Sequence, residues 1–127
     1  MNSLTTGAPG TPFMDGREIR KISMQTITLD TFCNQSNLRP DLVKIDVEGA
    51  ELLVLHGARK LLGESCPIIV LAVHPYWLPK GQSTQQIFEY LTGYGYTVYD
   101  SEGCQTTYLQ SGEYLCLNAK AGHTLAK

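Results

Sequence analysis

The sequence has no excess of positive charge and no long apolar run. Lysine and arginine number 10 and aspartate and glutamate number 12, which gives a formal net charge of -2 at pH 7. A balance of this kind offers no basic surface for nucleic acid. No apolar stretch reaches the roughly 20 residues of a bilayer-spanning helix, and the amino terminus lacks the basic head and apolar centre of a signal peptide. We therefore expect neither a nucleic-acid partner nor a membrane partner.

Closely spaced cysteine pairs are also missing. The four cysteines are far apart in the sequence: Cys33, Cys66, Cys104 and Cys116. None forms a C-x-x-C pair, and no histidine completes a zinc-binding pattern. Three of them have apolar neighbours, where cysteine is usually a small core residue. These features favour free thiols, no structural metal and a cytoplasmic location.

The composition is that of one small folded domain. The chain has 127 residues, of which 43% are hydrophobic, and this suits one core and leaves little room for a second. Residues 1–18 are rich in glycine, proline, threonine and serine and are predicted to form a flexible arm. We expect the folded domain to span residues 19–120 and a short tail to occupy residues 121–127.

Hydrophobic periodicity predicts alternating strands and helices. Thr28 and Ser83 are predicted helix N-caps, the second in a capping box with Gln86. The predicted elements, in order, are a strand at 19–28, a helix after Thr28, a strand at 42–47, a helix at 50–62, a strand at 68–73, a helix from Ser83, and strands at 96–99 and 113–118. Such alternation predicts an α/β sandwich with a largely parallel sheet, and the short turn before the last strand predicts one antiparallel strand.

The segment KIDVEGAE, residues 44–51, places three acids where a strand gives way to a helix. In such sheets, ligands bind beyond the carboxyl ends of the strands. Asp46 and Glu48 lie at that end of one predicted strand, and His74 lies at the same end of the next. Two carboxylates and an imidazole can there orient a metal, accept a proton or hold a substrate hydroxyl. Glu51 falls in the first turn of the following helix.

Most of these residues also fit a purely structural role. Acids at a helix start are favoured by the helix dipole, which would account for Glu48 and Glu51. His74 precedes a proline and fits a plain strand end. Asp46 is different, because an acid that ends a buried apolar strand is costly unless it is paired or lies in a solvated cleft.

Four segments follow one another in a familiar order: TITLDTF, PDLVKIDVEGAELLVLHGARKLL, PIIVLAVHP and IFEYLTGYGYTVYD. Together, over about residues 22–100, they resemble the FkbM family of S-adenosylmethionine-dependent methyltransferases. The strand, turn and helix of KIDVEGAE are the most specific part. Asp46, Glu48, Gly49 and Glu51 match the D-x-E-G-x-E signature of the family.

The resemblance implies a Rossmann-like methyltransferase fold with S-adenosylmethionine as cofactor. It also implies a small-molecule methyl acceptor, commonly an oxygen on a sugar, a polyketide or a similar metabolite. Strand-end geometry and the signature together give three catalytic candidates and three substrate-binding candidates. These are Asp46, Glu48 and His74 for catalysis, and Glu51, Tyr76 and Trp77 for substrate binding, although the two aromatic residues equally fit loop packing.

The resemblance is incomplete at two points. The family usually carries an acid in the strand that reads IIVLAVHP, where this chain has Ala72. Relatives also begin with a strand that ends in an acidic, glycine-rich turn around the cofactor, and with a second strand whose terminal acid holds the ribose. No segment here matches either of these strands. The chain is therefore predicted to be the carboxyl-terminal half of the domain, and no cofactor-binding residue is assigned.

A sheet that lacks those strands would have a bare edge at Leu42–Val47. Because a long apolar edge promotes association, we expect a homodimer, a partner chain or cover by the amino-terminal arm across this edge. Two other functions stay open. One is a catalytically inactive binding or interaction module derived from the fold, and the other is a metal-dependent hydrolase or lyase that uses Asp46, Glu48 and His74.

Overall fold

Four strands form one sheet in the computed structural model of the chain, which describes residues 20–125. The strands are β1 (Leu42–Ile45), β2 (Ile68–Val73), β3 (Tyr96–Tyr99) and β4 (Gly112–Asn118), in the spatial order β1-β2-β4-β3. β1 pairs with β2 in parallel, and β4 lies antiparallel between β2 and β3. The predicted α/β class with an antiparallel last strand is therefore confirmed. The predicted arm at residues 1–18 and the end of the predicted tail lie outside the described residues.

The described residues also contain α1 (Leu29–Gln35), α2 (Glu51–His56) and α3 (Thr84–Gly93). α1 and α3 begin at the predicted caps. The Thr28 hydroxyl accepts a hydrogen bond from the Thr31 amide at 3.1 Å, and Ser83 and Gln86 form both bonds of a capping box, at 3.3 and 2.9 Å. Within residues 20–125, no helix has the length and apolar character needed to cross a bilayer.

The strand predicted at residues 19–28 is wrong over its described part, because residues 20–28 have no regular secondary structure. The apolar side chains of this segment are largely exposed: 79% for Ile22, 74% for Met24 and 59% for Ile27. Alternation gives the segment one apolar face, but a strand also needs a neighbouring strand and a core that covers that face. Within the described part of the chain, no strand pairs with it.

The helix predicted at residues 50–62 is interrupted. α2 is followed by a turn at Gly57 and then by a π-helical segment, Leu61–Ser65. The Asp30 carboxylate accepts hydrogen bonds from the Lys60 and Leu61 amides at 2.9 and 3.0 Å, so a residue 30 positions before Lys60 caps the second segment. Five apolar residues of this segment are nevertheless buried: Leu52, Leu55, Ala58, Leu61 and Leu62.

The core is formed by one face of the sheet together with α2 and α3. Leu71 on β2, Leu55 on α2 and Ile87 on α3 are fully buried and belong to one cluster. Complete burial of such a side chain stabilises the fold by roughly 1.5–3 kcal/mol. Ile45 and Val73, the last residues of β1 and β2, are buried in the same cluster. The strand ends that precede the predicted site are therefore anchored in the core.

The turn between β1 and α2 has an unusual backbone. β1 ends at Ile45 rather than at the predicted residue 47. Glu48 (φ 46°) and Gly49 (φ 103°) then both adopt the left-handed conformation, which costs a residue other than glycine about 1–2 kcal/mol. A Cβ on Gly49 would lie 2.0 Å from the carbonyl oxygen of Trp77. Only glycine therefore fits where this turn contacts the loop that follows β2.

We predict that substitution strongly destabilises the fold at Gly49 but is tolerated at Glu48. Gly49→Ala should lower the free energy of unfolding by more than about 3 kcal/mol, because the new methyl group meets the Trp77 backbone and alanine disfavours a positive φ. Glu48→Gly, the matched control, should stay within about 1 kcal/mol of the parent chain, because relief of the left-handed conformation offsets the added chain entropy of glycine. Urea unfolding followed by circular dichroism measures both. Equal tolerance of the two substitutions would contradict the close contact between this turn and Trp77.

Candidate active site

Two loops bring three of the predicted residues together. Because β1 and β2 are parallel neighbours, with Ile45 beside Leu71, Asp46 and His74 leave the sheet at the same edge. The distance between Asp46 Oδ1 and His74 Nε2 is 3.5 Å. The first turn of α2 adds Glu51, whose Oε1 lies 2.9 Å from His74 Nδ1. The imidazole therefore lies between two carboxylates.

The two carboxylates have very different surroundings. The Glu51 side chain is 0% exposed, whereas the Asp46 side chain is 47% exposed and that of His74 is 28% exposed. Glu51 Oε1 also accepts a hydrogen bond from the Gly49 amide at 3.1 Å. Glu51 Oε2 is buried and has no hydrogen-bond partner among the described residues. The cluster thus runs from a buried carboxylate through an imidazole to a carboxylate at the surface, and its Asp46 side is open to solvent.

The remaining predicted residues surround this cluster without joining it. Glu48 is exposed, and no hydrogen bond or ion pair within residues 20–125 connects its side chain to His74. Tyr76 is 93% exposed and Trp77 48% exposed, and both lie in the short 3-10 turn Pro75–Trp77 directly after His74. Aromatic side chains at this position are accessible to a ligand. The catalytic and substrate-binding roles assigned from the sequence to all six residues stay predictions.

Sequence reasoning missed two contacts that shape the site. It placed Glu51 in a helix turn but not against His74, and it gave Gly49 only as part of the D-x-E-G-x-E signature. Both contacts join residues more than 20 positions apart, His74 with Glu51 and Trp77 with Gly49. The sequence contained one indication of the contact between Glu51 and His74. A residue in the first turn of a helix that follows a strand lies near the end of the adjacent parallel strand.

Other reactive side chains do not add to the site. The four cysteines are free, and Cys66 and Cys116 are buried. Burial raises the pKa of the Cys116 thiol to about 12, so it stays protonated at neutral pH and is not a nucleophile. Within residues 20–125, no group of three or more His, Cys, Asp or Glu side chains is arranged to hold a metal ion. The geometry therefore gives no support to the metal-dependent hydrolase or lyase.

Concave surfaces also occur away from the cluster. One, of about 270 Å³, is bordered by α1 and the π-helical segment, and another, of about 380 Å³, lies between α2 and α3. Neither includes Asp46 or His74. We place the candidate site at the carboxylate–imidazole cluster because it combines groups that exchange protons, which concave shape alone does not provide.

Comparison with protein families identifies the family of the segment that holds the cluster. A family model described as the Methyltransferase FkbM domain matches residues 2–98, a segment that contains β1, β2 and all three residues of the Asp46–His74–Glu51 cluster. Comparisons with curated proteins and with solved structures give no match. The family match covers well over half of the 127 residues. The chain therefore belongs to the FkbM methyltransferase domain family.

Proposed function

We propose that this chain forms the acceptor side of a methyltransferase site that transfers a methyl group from S-adenosylmethionine to a hydroxyl oxygen of a sugar or another small metabolite. The observation that carries the proposal is the Asp46–His74–Glu51 cluster at the carboxyl ends of two adjacent parallel strands. A hydroxyl oxygen becomes a good nucleophile only when a base removes its proton as it reacts. An imidazole held by a carboxylate is the commonest protein group for that task.

The cofactor supplies the methyl group, and its positive charges suit the negatively charged carboxylates of this site. S-adenosylmethionine carries a sulfonium and an ammonium cation, and Asp46 and Glu48 present carboxylates to solvent at the same strand end. Within residues 20–125, no strand followed by a glycine-rich turn precedes β1. We therefore propose that this chain attracts the cofactor but holds it weakly, and that a further segment in cis or in trans completes the site.

The sheet supports the same proposal at the level of the fold. We propose a Rossmann-like methyltransferase sandwich of which residues 20–125 form the carboxyl-terminal half. In this arrangement, the strand order β1-β2-β4-β3 continues beyond β1 into strands that bind the cofactor. The described β1 has β2 as its one strand neighbour, and Leu42 at its start is 54% exposed. The four unpaired cysteines suit a reducing compartment, and we propose a cytoplasmic location.

Calorimetric titration with S-adenosylmethionine tests the function. We expect saturable binding with a dissociation constant on the order of 1 mM, about -4 kcal/mol, and weaker binding of S-adenosylhomocysteine, which lacks the sulfonium charge. Asp46→Asn should abolish the preference for the charged cofactor, because it removes one carboxylate while nearly keeping the shape. Glu102→Gln removes an exposed acid in the turn after β3 and serves as the matched control.

Either result of the titration is informative. Loss of the preference in Asp46→Asn alone justifies a search for the hydroxylated acceptor. No heat with either ligand, at protein concentrations that detect millimolar binding, would refute cofactor binding by this chain and favour a binding module without turnover.

Within residues 20–125, the outer edge of β1 has no strand neighbour. We also propose that this edge pairs with a second copy of the chain or with a separate partner chain. Light scattering should then give a mass above the 14.0 kDa of one chain, twice that value for a homodimer. Leu42→Lys should prevent the association without loss of thermal stability, because a charge on an edge strand blocks edge-to-edge pairing. Leu53→Lys, at an exposed apolar position on α2, is the control and should leave the mass unchanged. A monomer at all concentrations, with β1 amides that exchange freely even after partner extracts are added, would count against the proposal.

A further inference from the structure

The burial of the Glu51 carboxylate is not explained by strand-end chemistry or by helix capping. Glutamate is almost never fully buried unless it is paired, yet Glu51 is 0% exposed. Its Oε1 contacts two groups, the Gly49 amide at 3.1 Å and His74 Nδ1 at 2.9 Å. Its Oε2 is buried without a hydrogen-bond partner in the described part of the chain. The polar contacts of Glu51 therefore serve to hold one turn and one imidazole.

These contacts determine which nitrogen of His74 carries a proton. The Gly49 amide only donates, so Glu51 Oε1 is an acceptor. An ionised carboxylate can only accept, and 2.9 Å is a hydrogen-bond distance, so Nδ1 must be the donor. Beside the ionised carboxylate, Nδ1 therefore carries the hydrogen.

We infer that Glu51 is a positioning residue that keeps His74 protonated on Nδ1, so that Nε2 is the atom that takes the proton from the hydroxyl group to be methylated. The inference rests on the proposed methyltransferase function. Nε2 is the nitrogen on the Asp46 side, where the cluster reaches the surface. Which ring nitrogen is basic is set by the hydrogen bond that the other one makes, and at this site Glu51 makes that bond.

The contact on the other side of the ring fits this assignment. With Nε2 unprotonated, neither Nε2 nor the ionised Asp46 carboxylate has a hydrogen to share. Their separation of 3.5 Å is longer than the usual range for a hydrogen bond of this kind. Both atoms are therefore free to accept from a third group, and a hydroxyl group of the methyl acceptor has the chemistry to donate to them.

The proposed reaction moves one proton and one methyl group. The O–H bond of the acceptor breaks and its proton moves to His74 Nε2. The electron pair stays on the oxygen, which bonds to the methyl carbon as the carbon–sulfur bond of the sulfonium donor gives its electrons to sulfur. The imidazolium that results lies between the Glu51 and Asp46 carboxylates. Its Nε2 proton then leaves to solvent by way of Asp46, the exposed member of the cluster.

Nitrogen-15 NMR of the imidazole side chains tests the inference, because the two ring nitrogens have different chemical shifts in the two tautomers. The chain has three histidines, and the signals that disappear in His74→Gln are those of His74. At a pH where His74 is neutral, the wild-type chain should show it protonated on Nδ1 and unprotonated on Nε2. The opposite tautomer would overturn the inference, and this measurement needs no variant of Glu51.

Two substitutions of Glu51 distinguish the effect of its acceptor oxygen from the effect of its side-chain volume. Glu51→Gln keeps an oxygen acceptor and should keep the proton on Nδ1. Glu51→Met has a similar volume but no acceptor, and it should move His74 towards the Nε2–H tautomer. Because Glu51→Met leaves the Gly49 amide and His74 Nδ1 without their acceptor, it should lower stability, and circular dichroism checks that the variant is folded. His56 and His123 should keep their tautomers in both variants. A folded Glu51→Met chain that keeps the Nδ1 proton on His74 would contradict the role of Glu51.

The NMR experiment tests the tautomer and the methyl-transfer experiment tests the function, so one claim can be rejected while the other stands. The tautomer is measured without cofactor or acceptor, so a proton on Nδ1 together with no methyl transfer would reject the proposed function and leave the assignment of the proton standing. In the complete methyltransferase, Glu51→Met should lower kcat by at least about 100-fold with little change in KM, which is the lower end of the contribution of a general base. Glu51→Gln should retain more of the activity. An unchanged kcat in Glu51→Met would reject the positioning role even if methyl transfer is confirmed.

Discussion

The hydrogen bond between Glu51 and His74 joins the two loops from which the candidate site is built. One loop follows β1 and leads into α2, and the other follows β2. A buried carboxylate is tolerated only when its partners compensate for lost hydration. Glu51 has two such partners, the Gly49 amide within its own turn and the His74 imidazole across the strand ends. The position of the imidazole is thus coupled to the stability of the turn, and the geometry of the site depends on this one contact.

The backbone around Glu51 is arranged to permit that contact. The left-handed conformations of Glu48 and Gly49 reverse the chain quickly enough for α2 to begin at Glu51. The absence of a side chain on Gly49 lets the Trp77 backbone approach closely. Strained conformations of this kind persist where the surrounding structure enforces them, and they are concentrated at functional sites. Ile45 and Val73, buried at the ends of the two strands, provide the rigid base beneath both loops.

Membership of the FkbM methyltransferase domain family gives this arrangement a chemical meaning. The family match includes both loops, and the proposed role of His74 as a base suits the methylation of a hydroxyl group. The described sheet supplies the loops that bear the acid and imidazole side chains. Methyl transfer also requires a cofactor held in a fixed orientation, and in the proposed function the carboxylates at the strand ends attract it by charge.

Local patterns in the sequence were enough to predict the α/β class of the fold and the strand ends where the candidate site lies. Capping residues such as Thr28 and Ser83, the apolar run of β2 and the acids after β1 act through local rules, so their helices, strands and strand-end position could be read directly. The residues from Arg20 to Thr28 show the limit of those rules, since alternation without a neighbouring strand produced no strand. Asp30 caps the segment after Gly57, and the buried Glu51 is paired with His74. Those contacts join distant parts of the chain and become visible in the folded structure alone, because the energy of a buried polar group depends on partners that no local pattern specifies.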